Sequence, residues 1–284
     1  MNIKFWSILS VIVGAALFVS YPVMAEAIDW GIGLQPSATS SENRIHNFHN
    51  MLMVIITGIV LFVMALLIFV VLRYNKKANP KPSNVTHHFL LEVIWTVIPV
   101  VILIIIAVPS FKILYKNDRI VEPELTLKVT GYQWYWGYEY PDQDGIAFSS
   151  YMVPTPDLKD GQKRLLSTDN VVVLPVDTDI SVLVTGNDVI HSWAVPAFGV
   201  KIDAVPGQIN ETWFRILKPG IYYGQCSEIC GKNHAFMPIE VHAVSKEEFK
   251  AWIEKAKEEF ASNALEGGYQ TDDRPIKLTA LAYK

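Results

Sequence analysis

Residues 225–238 read Gln-Cys-Ser-Glu-Ile-Cys-Gly-Lys-Asn-His-Ala-Phe-Met-Pro. Cys226 and Cys230 are four positions apart, His234 follows after four more, and Met237 three after that. Two thiolates, an imidazole and a thioether in one short segment make a soft donor set, suited to copper rather than magnesium or calcium. A mononuclear blue-copper site takes one Cys, two His and a weak axial Met. The segment supplies a Cys, a His and a Met in that closing order, so the second His must come from elsewhere. His191, in Asn187-Asp-Val-Ile-His-Ser-Trp193 between predicted strands, is the natural source. The second cysteine decides the nuclearity. With both thiolates bridging two coppers, each metal holds both sulfurs, one imidazole and one weak axial ligand. Met237 serves one side, and a loop carbonyl, best placed at Glu228 between the cysteines, serves the other.

Other chemistries compete for the same residues. Cysteines outside the cell usually oxidise to a disulfide, and Cys-x-x-x-Cys spacing alone leaves that open; His234, Met237 and Pro238 at these offsets argue against it. Zinc accepts Cys and His but has no use for a thioether. A thioredoxin-like copper chaperone also pairs Cys-x-x-x-Cys with a distant His, yet it has one anchor, a βαβ pattern and no Met three after a His. A membrane-anchored sandwich with a disulfide is the purely structural alternative. Metal analysis with near-infrared absorption separates these readings.

The elements that must position these ligands follow from composition. The chain has 284 residues, 51 % hydrophobic and 18 % charged. Soluble domains carry roughly a quarter charged residues, so this chain is too apolar to be simply soluble, and it is not disordered. A net charge of −4 argues against nucleic acid as a partner. That total hides a split: residues 1–115 carry a net +3, and residues 116–284 a net −7.

Phe5 to Ser20 is a short apolar run behind Lys4, followed by Val23-Met24-Ala25, which reads as a signal peptide over residues 1–25 cut after Ala25 or Ala27. An uncleaved anchor is the alternative. Met51–Leu72 and Val93–Phe111 carry no charge, and about 20 such residues span a bilayer. They predict transmembrane helices at about 48–73 and 92–114, a hairpin within residues 26–117. Arg73, Lys76, Lys77 and Lys81 lie between them; a basic loop stays in the cytoplasm, so both termini and the acidic half lie outside.

Residues 118–244 hold short β-branched runs at 125–130, 171–175, 180–184 and 211–216, separated by Gly, Pro, Asp and Asn, as in a β-sandwich or barrel. Residues 245–284 begin with a Ser245/Glu248 capping box and an apolar stripe of Phe249, Trp252, Ile253, Ala256 and Phe260; the tail after Leu265 carries no signal. Tyr132, Trp134, Trp136, Tyr138 and Tyr140 alternate, which in one strand puts five rings on one face.

Cys226–Pro238, the stretch Gly131-Tyr-Gln-Trp-Tyr-Trp-Gly-Tyr-Glu-Tyr140 and the segment Leu91-Glu-Val-Ile-Trp-Thr-Val-Ile-Pro99 together resemble the subunit II family of cytochrome c oxidase, from about residue 45 to 260. The resemblance implies a two-helix transmembrane hairpin followed by an all-β cupredoxin-like Greek-key barrel with a binuclear copper-A centre. It implies a subunit of a proton-pumping oxidoreductase that takes electrons from cytochrome c and passes them to haem in subunit I, where oxygen is reduced. His191, Cys226, Cys230, His234, Met237 and the Glu228 carbonyl match the copper ligands, and the Glu228 carboxylate matches a magnesium ligand shared with subunit I. Haem stays in the partner subunit, and subunit III is a further expected partner. Trp134 matches the electron-entry residue; packing or an interface belt would otherwise account for these rings. Glu139, Asp142, Asp169 and Asp188 match docking acids gathered near Trp134 and His191, where isolated charges would read as solvated surface. Glu92 matches the mouth of a proton path, against a plain helix-cap role. The expected location is a bacterial inner membrane, with the copper domain on the periplasmic side.

Overall fold

The computed structural model describes residues 31, 33–81, 83–118 and 122–264. The signal-peptide reading of residues 1–25, its cleavage at Ala25 or Ala27, and the tail after Leu265 lie outside the described residues.

Among the described residues two long helices come first, α1 (Ser40–Arg73) and α2 (Phe89–Asn117). Their apolar side chains face outward all round, with Phe62, Leu67, Val71, Leu103 and Val108 more than half exposed. A helix apolar on every face needs an apolar surround, which agrees with the length and hydropathy of both. Each helix is longer than the charge-free run that predicts it. α1 starts eight residues before the predicted 48, because Thr39 caps it: the hydroxyl accepts from the Glu42 N–H at 3.0 Å. The extra turns belong to the β domain rather than the membrane. Ala38 N donates to Ala197 O, Leu217 N donates to Ala38 O, and the Thr39 hydroxyl donates to Phe198 O. α2 runs three residues past its predicted 114 to Asn117, whose Oδ1 accepts from Arg44 at 3.5 Å. The start of α1 is therefore fastened to the β domain, and the end of α2 to α1.

That domain has ten strands: β1 (Leu125–Tyr132), β2 (Tyr135–Tyr140), β3 (Ile146–Ser150), β4 (Val172–Pro175), β5 (Ile180–Gly186), β6 (His191–Val195), β7 (Val200–Ala204), β8 (Asn210–Phe214), β9 (Gly220–Cys226) and β10 (Pro238–Val244). They form two five-stranded sheets, ordered β3-β2-β1-β5-β8 and β4-β10-β9-β6-β7, a cupredoxin-like β-sandwich. Between the sheets lie Leu127, Val129, Trp136, Tyr138, Val182, Trp193, Phe214 and Val241, all buried. α3 (Lys246–Ala264) closes one flank. The capping box forms: Glu248 N donates to Ser245 Oγ, and Glu248 Oε2 accepts from Ser245 N. Phe249, Ile253 and Ala256 are its buried face.

The aromatic stretch departs from the five-ring expectation. β1 ends at Tyr132 and β2 starts at Tyr135, which pair across a two-residue loop; their rings stack at 4.7 Å. The chain reverses at Gln133 and Trp134, so only Trp136, Tyr138 and Tyr140 share the inward face. Trp134 stands at the tip of the hairpin.

Candidate metal centre

The potential ligands meet where three strands of one sheet end together. β9 ends at Cys226, β10 begins beside Met237, and the two strands pair from Gln225–Pro238 onward. The residues between form a loop that must fold back over its own hairpin. β6 flanks β9 with Trp193 opposite Cys226, and Ser227 N donates to Ser192 O at 2.9 Å. This register sets His191, the first residue of β6 and not a loop residue, beside the loop.

Cys226 and Cys230 are free and buried, their sulfurs 3.8 Å apart. His191 Nδ1 lies 4.0 Å from the Cys226 sulfur, and His234 Nδ1 3.6 Å from that of Cys230. Met237 Sδ is 3.5 Å from the Cys230 sulfur, and the Glu228 carbonyl oxygen 3.3 Å from that of Cys226. Donor atoms of His191, Cys226 and Cys230 all lie within 4.8 Å of one another, and His234 extends the set from the Cys230 side. Each sulfur thus has its own imidazole and its own weaker oxygen or thioether neighbour. Such a set fits copper; the buried thioether is out of place in a zinc site.

Neighbouring groups hold these ligands. His191 Nε2 faces Asp188 Oδ1 at 2.8 Å, so a proton on Nε2 leaves the Nδ1 lone pair towards Cys226. A Cβ on Gly131 would sit 2.8 Å from His191 Cδ2; only glycine leaves room for the ring. Trp136 donates its indole N–H to Met237 O at 3.2 Å. Burial by itself would push the Cys226 thiol up, but hydrogen bonds with the His191 ring and the backbone bring it down to about 6. Cys230 moves the other way, pushed up to about 12 by burial and then by the neighbouring sulfur charge. One thiolate forms readily and the second resists until a cation compensates it.

Trp134, from the β1–β2 tip, rests against the cysteine loop: its Nε1 donates to Cys230 O at 3.1 Å, and Lys232 Nζ stands 5.7 Å from its ring. Glu228 is exposed, its carboxylate free to reach beyond the domain. Glu92 sits in the first turn of α2, at the end remote from the β domain.

The four acids do not gather around the ring. Asp188 does, since its Oδ2 accepts from Gln133 N at 2.7 Å. Asp169 is close to the same end of the sheet, accepting from Tyr151 N, whose ring stacks on Tyr135. Glu139 is the penultimate residue of β2, near the end remote from the tip, and is paired with Lys128 at 2.7 Å. Asp142 accepts from Thr126 N at the opposite end of the hairpin, roughly 20 Å from its tip at about 3.3 Å per residue. Sequence order hides this, because a hairpin carries neighbours apart as fast as the strand rises. Gln133 and Trp136 enter the site without having been singled out; only their place in the aromatic stretch marked them.

Comparison with known proteins follows this geometry. Residues 125–244 match the family model described as cytochrome c oxidase subunit II, periplasmic domain, and residues 27–113 the one described as cytochrome c oxidase subunit II, transmembrane domain. A probable cytochrome c oxidase subunit 2 of Rickettsia bellii (strain RML369-C) is 51 % identical over 89 % of this chain and 93 % of its own. The cytochrome c oxidase subunit 2 of Cereibacter sphaeroides is 44 % identical over 88 % of each. The crystal structure of the periplasmic domain of subunit II of cytochrome oxidase from Bradyrhizobium japonicum is 54 % identical, with a TM-score of 0.47, covering 50 % of this chain and 99 % of that one.

Proposed function

This chain belongs to the cytochrome c oxidase subunit II family, and on that premise we propose that it accepts electrons from cytochrome c at a binuclear copper site and delivers them to haem in subunit I. It is a membrane-anchored subunit of an oxidoreductase. The observation that carries the proposal is the pairing of two free thiols 3.8 Å apart, each with its own imidazole.

His191, Cys226, Cys230, His234 and Met237, with the Glu228 carbonyl, would hold two coppers. When bound, the pair would supply a one-electron redox centre whose potential the weaker donors, Met237 and the Glu228 carbonyl, would tune. The chain's residues do the rest. Asp188 keeps the His191 ring in one tautomer. Gly131 clears space for that ring, and Trp136 fixes the Met237 backbone. The buried surround limits rearrangement of the ligands as charge changes. Trp134 offers a route from the surface to Cys230 through one hydrogen bond, which supports its role as the entry residue. Asp169 and Asp188 stand near it, and Glu139 and Asp142 extend the negative flank down the hairpin. Opposite charge on a basic donor steers encounter over a screening length of about 8–10 Å. Glu228, exposed beside the cysteines, suits a hard magnesium ion at the contact with subunit I. Subunit III would complete the assembly in a bacterial inner membrane, with the copper domain periplasmic and Glu92 admitting protons from the far side for pumping.

Copper analysis with near-infrared absorption of the purified protein tests the site. Two coppers per chain with no titratable thiol is the expected result; one copper, or a Cys226–Cys230 disulfide in the loaded protein, would refute it.

A further inference from the structure

The loop carrying Trp134 has two residues, and the other one reaches both halves of the site. The Gln133 backbone N–H donates to Asp188 Oδ2 at 2.7 Å, while the other oxygen of that carboxylate faces His191 Nε2 at 2.8 Å. The Gln133 side-chain Nε2 donates to Cys230 O at 2.7 Å. That same oxygen accepts the indole N–H of Trp134 at 3.1 Å. Gly231 lies beneath both side chains: a Cβ there would be 2.9 Å from Trp134 Cζ2 and 3.2 Å from Gln133 Nε2.

We infer that Gln133 is a positioning residue for electron entry, bracing the Trp134 ring against the Cys230 carbonyl and tying its loop through Asp188 to His191. The inference rests on Trp134 being the entry residue. A carbonyl oxygen has two lone pairs, and here both are used by adjacent residues of one hairpin tip. The shorter bond is the one from Gln133, so the amide fixes the loop and the indole bond follows. Without it, the partly buried ring at the end of a two-residue loop keeps one longer hydrogen bond beside its core packing and the Lys232 contact. Displacing the ring lengthens the path an electron must cross, and the transfer rate falls exponentially with that distance. Gln133 is itself exposed, so direct contact with the donor is the competing role.

The test uses the assembled oxidase with Gln133→Met, which keeps the side-chain length and removes the donor, Trp134→Phe, and the double variant. The subunit is labelled with 5-fluorotryptophan, and the Trp134 resonance is the one missing in Trp134→Phe. Copper content serves as the control for folding. Gln133→Met is expected to shift the Trp134 fluorine resonance and to slow electron transfer within the bound complex. Its association rate with cytochrome c, and the salt dependence of that rate, should match wild type. The double variant should be no slower than Trp134→Phe alone, as for two residues acting as one unit. An unshifted resonance, or losses that multiply in the double variant, would overturn the bracing role. Wild-type transfer by Trp134→Phe would sink the entry assignment itself; slow Trp134→Phe beside normal Gln133→Met would sink the bracing role alone.

Discussion

His191 Nε2 faces Asp188 at 2.8 Å, and that contact decides which ring nitrogen is left for a metal. Asp188 is also an acid next to Trp134, so under the proposed function it would combine ligand orientation with a docking charge. Asp188→Asn separates the two. Loss of an orienting carboxylate typically costs roughly 10- to 100-fold in metal affinity, so competition with a copper chelator should show a loss in that range. A purely docking role would leave affinity unchanged and alter only the association rate and its salt dependence. Met237 makes the opposite case. Its sulfur lies 3.5 Å from Cys230 and it is 1 % exposed, so Met237→Leu fills the same space without the thioether. Two coppers should remain while the reduction potential and spectrum shift, because an axial ligand tunes potential; redox titration with an unchanged midpoint would remove Met237 from the site.

At the scale of elements, the site is a product of strand register. His191 reaches the cysteine loop because β6 pairs with β9 at Trp193–Cys226, and it has room because β1 crosses behind it with a glycine. Gly131→Ala places a methyl group within 3 Å of the imidazole. Overpacking of this kind costs about 1–3 kcal/mol, and relief requires either the β1 backbone or the ring to move. The variant should melt at lower temperature and also lose copper affinity, read by calorimetry and metal analysis together. Normal copper binding in a destabilised variant would show that β1 yields and the ring does not. Helix α1 follows the same logic in reverse. The two residues before its first turn are held by hydrogen bonds with Ala197, Leu217 and Phe198, the last from the Thr39 hydroxyl, so the anchor and the sandwich meet through fixed hydrogen bonds.

At the scale of the molecule, the proposed function puts its two chemistries a membrane's thickness apart. Glu92 lies 25 residues before Asn117, the last residue of α2, about 37 Å at 1.5 Å per residue, and the copper ligands lie beyond that outer end. Glu92→Gln should therefore slow proton uptake and turnover in the assembled oxidase without changing the copper spectrum. A wild-type rate of proton uptake would reduce Glu92 to a cap on the α2 dipole.

Much of this was legible in the chain because it is local. Charge-free runs of about 20 residues announce membrane helices whatever surrounds them, and Ser245 with Glu248 announces a helix start three residues at a time. The spacing of Cys226, Cys230, His234 and Met237 works in the same way, since one loop carries all four. What only the tertiary structure decided is whatever joins distant segments. Gln133 meets Asp188 across 55 positions and Cys230 across 97, and neither contact leaves a periodic trace. The break of the aromatic stretch at Gln133–Trp134 and the removal of Asp142 to the far end of the hairpin likewise depend on where β1 turns. Short-range spacing specifies which ligands share a loop; the orientation of those ligands is set by hydrogen bonds whose existence depends on which distant strands pair, and the spacing within one strand does not name its partner.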